Sequence, residues 1–257
     1  MMTVLICLVA LAASALTFFS GFGLGTLLLP AFSVFYPIEI AVASTGAVHF
    51  LNGLFKLVLV GRFADRRTVV RFGIPAIAAA LLGAWLLVRL AATSPITRYS
   101  ILGIEATILP AKLAVGILLL IVTLLEAAPR YRSLAIPSRY VPVGGFLSGF
   151  FGGISGMQGA LRSAFLVRLG LTKEAFIGTG VVVATLVDLS RLGVYGRGFL
   201  AHRADLDLRL LAAAVISAFL GTILGNSFLR KLTLKAVQGT IGVMLALVAL
   251  ALIAGVL

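Results

Sequence analysis

Charged residues are scarce in this sequence, and their scarcity argues against an ordinary soluble domain. Only 11% of the 257 residues are charged, whereas 61% are hydrophobic. In a soluble globular domain about a quarter of the residues are charged. Apolar stretches of about 20 residues, the length that crosses a bilayer as a helix, recur from one end of the chain to the other. The sequence therefore predicts an all-α polytopic membrane protein.

Cysteine and histidine are also rare, and the common catalytic motifs are absent. The chain has one cysteine, Cys7, so an intramolecular disulfide and a multi-cysteine metal site are excluded. Its two histidines stand alone in the sequence, and no Walker A, HExxH or GxSxG motif is present. These absences argue against ATP drive within this chain and against enzymatic chemistry. We expect a protein that is not an enzyme and that holds no cofactor or metal.

The net charge of +13 would suggest a nucleic-acid partner in a soluble protein. Here Lys and Arg stand mostly in short connections between apolar stretches, which is typical of the cytoplasmic loops of membrane proteins. No basic and aromatic stripe of the kind that binds nucleic acid is seen. We therefore expect the lipid bilayer, and no nucleic acid, as the large partner of this chain.

Eight apolar segments form two sets of four. They lie approximately at 3–35, 39–60, 69–90, 108–126, 141–171, 174–195, 208–229 and 234–257. Glycines interrupt the first segment of each set, at 21–25 and at 149–159. Ser-Gly-Phe at 20–22 recurs at 148–150, and Thr-Gly at 45–46 recurs at 179–180. We assign 1–126 and 141–257 as membrane repeats and the basic segment 127–140 as a cytoplasmic linker.

The positive-inside rule distinguishes two arrangements of the interrupted segments. Apart from Lys56, Arg162 and Arg191, which lie within apolar segments, 18 of the 21 basic residues lie in the connections. They divide ten against eight if each interrupted segment crosses once, and twelve against six if each is a re-entrant hairpin. We favour the re-entrant arrangement, in which the second half is inverted, although residues 3–19 are long enough to cross alone. Inverted repeats with broken helices meeting at the midplane are common in secondary transporters.

A cation follows the second interruption. Arg162 and Gln158 are four residues apart and share a helical face. If Gly156 and Gly159 begin a half-helix, its free N–H groups favour an anion. The guanidinium of Arg162 adds a planar fork for an oxyanion, and Ser163 could add a hydroxyl. The structural alternative is that this guanidinium caps a neighbouring helix end or neutralises a carboxylate.

Four polar residues share one face of the 39–60 segment. Thr45, His49, Asn52 and Lys56 are spaced four, three and four residues apart. A polar stripe on an apolar helix should face protein or water, so we count Thr45, Asn52 and Lys56 as candidates to contact the anion. The alternatives are that Lys56 reaches the membrane interface and that Asn52 bonds a neighbouring helix. His49 is a candidate proton carrier, with a packing role as its alternative.

The corresponding segment of the second half carries Asp188 and Arg191. They are three residues apart on one helical face and can form an ion pair. We include Arg191 among the candidate substrate-binding residues. The simplest role of Asp188 is to neutralise that cation. The hypothesis to test is that protonation of Asp188 couples transport to the proton gradient.

The interrupted segments resemble those of the TauE/SafE family of sulfite and organosulfonate exporters. The residues that carry the resemblance are SGFGLGTLLLPAF at 20–32, EIAVAST at 39–45 and GGFLSGFFGGISGMQGALRSAFL at 144–166. The resemblance implies two repeats, each opening with a broken glycine-rich segment. It also implies export of sulfite, sulfoacetate or a related organosulfonate from a bacterial cytoplasm, with a proton-linked mechanism.

From the residues and the resemblance we expect a multi-pass secondary transporter of the bacterial inner membrane. It would export a small oxyanion by alternating access, with one half rocking against the other. The expected partners are this anion, the lipid bilayer and protons as the coupling ion, and a homodimer stays open. The alternatives are a passive anion channel and a membrane-embedded assembly subunit without transport activity.

Overall fold

A computed structural model describes residues 1–17, 24–101, 104–127, 137–167, 169–201, 207–228 and 235–257. Within these residues the chain forms ten α-helices, which we number in chain order. Their bounds are α1 Met2–Thr17, α2 Leu24–Ser33, α3 Ile38–Val60, α4 Arg66–Ala91, α5 Pro110–Ala127, α6 Val141–Ser155, α7 Gly159–Leu166, α8 Lys173–Ala201, α9 Leu208–Phe228 and α10 Lys235–Ile253. Most of the interruption predicted at 21–25 and most of the linker predicted at 127–140 fall outside the described residues.

Four of the described helices are long and apolar enough to cross a membrane. These spans are Ile38–Phe63, Arg66–Ala91, Lys173–Gly196 and Leu208–Gly225, and shorter apolar helices accompany them. Many large hydrophobic side chains are exposed on the outside of the protein, Val58, Ile74 and Trp85 among them. Lipid would cover such a surface, whereas a water-soluble domain rarely exposes apolar patches of this extent. The prediction of an all-α polytopic membrane protein is confirmed.

Two clusters of buried apolar side chains form the core. The larger joins α1, α2, α3, α5, α9 and α10 and includes Ile6, Leu28 and Val115. The smaller lies between α4, α6, α7 and α8 and includes Phe72 and Val183. Each of these clusters contains helices from both halves of the chain, so the halves do not fold as separate bodies.

The interrupted segment of the second half is a helical hairpin. It turns at Gly156, whose φ of 80° is a conformation that glycine adopts without steric cost. Beyond the turn, the Ser148 hydroxyl donates to the carbonyl of Gln158 at 2.9 Å. A Cβ on Gly144 would overlap the ring of Phe165. Because a residue early in α6 lies beside a residue late in α7, α7 runs back along α6.

The interruption is narrower than the sequence suggested. We expected it to occupy 149–159, but α6 stays helical to Ser155 and only residues 156–158 separate it from α7. Gly145, Gly149 and Gly153 lie against the backbone of α4, where a Cβ on any of them would come within 2.3 Å of a carbonyl oxygen. These glycines therefore allow close helix packing and do not break the helix. The same arrangement recurs where Gly221 and Gly225 of α9 meet α1.

The contacts between helices come in matched pairs. α4 packs on α6 and α1 packs on α9, while α3 packs on α8 and α5 on α10. If α1–α5 correspond to α6–α10, the first two contacts exchange and the other two map onto themselves. Gly46 lies beside Arg191 and Gly53 beside Thr185, so α3 and α8 run antiparallel. This pattern is what two halves related by a twofold axis in the membrane plane would give, and the inverted repeat stays our interpretation.

A short β-hairpin between α4 and α5 was not predicted. Its strands, β1 Thr97–Ile101 and β2 Ile104–Ile108, pair in antiparallel register. The hairpin is held against the end of α10, because Thr107 N–H donates to the Gly255 carbonyl at 2.9 Å and the Tyr99 hydroxyl donates to the Ala254 carbonyl at 2.6 Å. The β-branched residues of both strands favour this conformation.

Candidate functional site

The turn between α6 and α7 meets the beginning of α2 inside the protein. A Cβ on Gly25 would lie 2.8 Å from the carbonyl oxygen of Gly156 and 3.8 Å from the imidazole of His49. The interrupted segments of the two halves are therefore in contact at this point. Gly25 and Gly156 make that approach feasible, since any larger side chain at Gly25 would force the two backbones apart.

Asp188 of α8 is the hub of a buried polar network beside this contact. Its Oδ2 lies 2.5 Å from Nδ1 of His49 on α3. Its Oδ1 accepts from Nε2 of Gln158 at 3.1 Å and from Nε of Arg191 at 2.9 Å. One carboxylate thus connects α3 of the first half, the α6–α7 turn and α8. Asp188 is fully buried, whereas 17% of the His49 side chain is exposed, so His49 is the member of this pair that solvent can reach.

Arg191 is fully buried and lies against backbone from both halves. A Cβ would come within 3.2 Å of its guanidinium carbon if added to Gly46, and within 2.8 Å of Nη1 if added to Gly156. Its Nη2 is 2.8 Å from Oδ1 of Asp188, which makes an ion pair. The angle there is not that of a hydrogen bond, so neither Nη atom has a hydrogen-bond acceptor among the described residues. Thr45 Oγ1 is buried and without a hydrogen-bond partner in the same sense.

Arg162 is 3% exposed and lies on the other side of Gln158. Its Nη1 donates to Oε1 of Gln158 at 3.3 Å, so one amide side chain links this guanidinium to Asp188. Its Nε would be 3.5 Å from a Cβ added to Gly180 of α8. The half-buried Lys56 of α3 is close enough for its ammonium to repel the Arg162 guanidinium. The sequence-predicted pair of cations from opposite halves is therefore brought together.

The two groups of charges are at different heights along α8. Gly180, beside Arg162, precedes Asp188 by eight residues, which corresponds to about 12 Å at the helical rise of about 1.5 Å per residue. The Arg162–Lys56 pair thus lies toward the N-terminal end of α8. The Asp188–Arg191 pair lies deeper, where the interrupted segments touch.

Asn52 is positioned away from both groups. Its Nδ2 donates to the Ser14 hydroxyl at 3.1 Å, its Oδ1 accepts from the Thr222 hydroxyl at 2.9 Å, and those two hydroxyls are 2.8 Å apart. This triangle connects α1, α3 and α9. Of the two roles considered for Asn52, the structure supplies partners for the one between helices.

Other candidates lie at the hairpin itself. Gly159 is the first residue of α7, and Ser163, one residue after Arg162, is half-buried on the same helix. The Tyr195 hydroxyl donates to the Gly153 carbonyl, which ties the end of α6 to α8. Sequence reasoning did not single out Gly25 or Gly46 as members of the site. The recurrence of Thr-Gly at 45–46 and 179–180 was the signal available, because Gly46 and Gly180 each make room for a guanidinium.

The donors gathered here suit an anion. Among the described residues, no group of three or more His, Cys, Asp or Glu side chains is arranged to hold a metal ion. Guanidinium, ammonium and amide groups offer N–H donors instead, and arginine in particular presents a fork that matches the geometry of an oxyanion. Charged groups at this depth in a membrane protein mark functional sites.

Comparison with known proteins gives one informative match. The family model described as "Sulfite exporter TauE/SafE" matches residues 6–252, which is nearly the whole chain. No curated protein and no solved structure gives a significant match.

Proposed function

Because this chain belongs to the TauE/SafE sulfite exporter family, which makes it a multi-pass membrane transporter for small sulfur anions and not an enzyme, we propose that it is a secondary transporter. It exports sulfite, sulfoacetate or a related organosulfonate across the bacterial inner membrane by alternating access. The coupling ion in this proposal is the proton.

The observation that carries the proposal is the cation pair of Arg162 and Lys56. Burying one charge in a membrane protein costs several kcal/mol, and two like charges in proximity add repulsion. Such an arrangement is unfavourable as a purely structural element, but it is suited to a site that an anion occupies during each cycle. Gln158 connects this site to Asp188, so occupancy at one place is felt at the other.

Proton coupling is supported by the position of Asp188. Its carboxylate is shared between His49, the solvent-reachable partner, and Arg191, which lies against the contact between the interrupted segments. Protonation of Asp188 would release both partners at once, since a neutral carboxyl no longer holds two cationic groups. In this mechanism the release loosens the contact between Gly25 and Gly156, through which the two halves close on each other.

The decisive experiment is flux into proteoliposomes that contain only this chain. Sulfite, sulfoacetate, sulfate and thiosulfate are offered with and without an imposed pH difference. We expect flux of at least one of them, accelerated by the pH difference. Arg162→Ala should abolish flux, while Arg66→Ala, at the first residue of α4, serves as the matched control. Normal transport by Arg162→Ala would show that the anion site is elsewhere.

The same assay separates the alternative functions. A passive channel gives anion flux that does not respond to the pH difference, and an assembly subunit gives none. Asp188→Asn should abolish the response to the pH difference while binding of the anion persists. If this variant responded as the wild type does, proton coupling through Asp188 would be refuted.

A further inference from the structure

We propose that Lys56 and Arg162 form a two-cation site that selects a doubly charged oxyanion over a singly charged one, and that Lys56 sets this preference. The inference deepens the proposed function, since it takes the Arg162 site to be where the transported anion binds.

The first step is the charge balance of the buried groups. Three cations lie within the apolar segments, namely Lys56, Arg162 and Arg191. Arg191 is neutralised by Asp188, whose Oδ1 is 2.8 Å from its Nη2. The pair of Lys56 and Arg162 then carries two positive charges, one from each half of the chain.

The second step is where the other carboxylates stand. The chain has eight acidic residues. Seven of them lie at helix ends or in connections of the sequence: Glu39, Asp65, Glu105, Glu126, Glu174, Asp205 and Asp207. Of these, Asp65 lies closest along the chain to the end of α3 that carries Lys56, but its Oδ1 accepts from Thr68 N–H at 2.7 Å and caps α4. Asp188 is thus the one acid placed within an apolar segment, and it is already paired.

The third step is the charge of the ligand. Sulfate and sulfoacetate carry two negative charges at neutral pH, whereas methanesulfonate carries one. Only a dianion neutralises both cations in a site where unmatched charge is costly. A monoanion can satisfy Arg162 through its sulfonate group and leaves Lys56 without compensation. Because Lys56 is on α3 and Arg162 is on α7, a dianion would also draw together elements of the two halves.

The test is equilibrium binding of sulfoacetate and methanesulfonate to the purified full chain in detergent. Wild type should bind the dianion more tightly by about tenfold or more, as expected for one additional charge-assisted contact. Lys56→Gln should lose most of this preference while its affinity for methanesulfonate stays unchanged, and Lys56→Arg should keep it. Lys112→Gln replaces a half-buried lysine at the start of α5 and should leave both affinities as they are.

Several results would overturn the inference. Equal binding of the two anions by wild type would do so, and so would an unchanged preference in Lys56→Gln. Lys56→Met provides a second neutral variant if Lys56→Gln does not give a monodisperse protein. Sulfite flux together with an unchanged preference refutes the selectivity and leaves the proposed function intact. Absence of both flux and anion binding refutes the proposed function, and the selectivity with it.

Discussion

Removing the charge of Asp188 should destabilise the protein more than removing the whole charged pair. The substitution Asp188→Asn keeps the size and shape of the side chain and an acceptor for Gln158. It leaves the guanidinium of Arg191 fully buried between the backbones of Gly46 and Gly156 without its counter-charge. In Asp188→Asn/Arg191→Met, neither charge is left.

The magnitude follows from the separation of the two groups. At the 2.8 Å between Nη2 and Oδ1, Coulomb's law with an effective dielectric constant of about 20 gives an attraction of about 6 kcal/mol. Breaking a buried ion pair by removing one partner costs about 3–5 kcal/mol, whereas replacing both partners by uncharged groups is often close to neutral. We therefore expect Asp188→Asn to lower the free energy of unfolding by about 3–5 kcal/mol and the double variant to recover most of that loss. Arg191→Met should cost less than Asp188→Asn, because a protonated His49 can still compensate the remaining carboxylate.

The assay is unfolding in mixed micelles of sodium dodecyl sulfate and dodecylmaltoside. Trp85 is the single tryptophan, and it lies on α4 with half of its surface exposed, so its fluorescence reports on the unfolding of that helix. The four proteins of the cycle, wild type included, give the coupling energy directly. A cost below about 1 kcal/mol for Asp188→Asn, or strictly additive effects in the double variant, would refute the reasoning. In that case the pair would already be hydrated in the folded protein.

Three further predictions concern other parts of the fold. Gly149→Ala should cost at least about 1–3 kcal/mol of stability, because its Cβ would be 2.0 Å from an α4 carbonyl oxygen, whereas Gly193→Ala on α8, with nothing within 4 Å, should stabilise by up to about 1 kcal/mol; equal effects in thermal unfolding would contradict this. Asn52→Leu should cost about 0.6 kcal/mol for each of its two hydrogen bonds between helices and leave anion binding unchanged; altered anion affinity would instead favour the substrate contact. Asp65→Ala should cost about 1 kcal/mol through loss of the α4 cap. Hydrogen bonds from the Thr68 side chain and then its backbone N–H lower the pKa of Asp65, so the stabilisation is present above the unfolded-state pKa and is lost as the pH falls through the lower folded-state pKa; a pH series of the difference between wild type and Asp65→Ala checks this, and a difference that stayed constant into acid would contradict it.

Hydropathy was sufficient to find the helices, because each is apolar over most of its surface and its ends coincide with charged or turn-forming residues. The segment predicted at 39–60 is observed as Ile38–Val60, and that at 208–229 as Leu208–Phe228. The glycines of α6 were misread for an equally physical reason. A glycine that breaks a helix and a glycine that lets two helices touch have the same sequence signal, and only the position of α4 distinguishes them.

The local half of the site could be predicted and the tertiary half could not. The spacing of Asp188 and Arg191 specifies their pairing, since residues three apart are neighbours on any helix. That His49 completes the pair depends on α3 and α8 running antiparallel with a particular register, and no short-range pattern encodes this. For the same reason Asn52 shared its sequence stripe with His49 and Lys56 but was bound instead to two hydroxyls on other helices.

The packing also bears on which parts can move. From the sequence we expected one half to rock against the other, which requires a loose seam between them. The seams at α4–α6 and α1–α9 are the opposite, because helices from different halves touch there backbone to backbone through Gly149 and Gly221. Sliding at such a seam would force Cα atoms past carbonyl oxygens. The α3–α8 seam is held differently, by the polar contacts of His49 and Arg191 with Asp188, and these respond to protonation and to an anion. Alternating access, as proposed, must therefore open this polar seam, with each interrupted hairpin moving together with the glycine-packed helix of the opposite half.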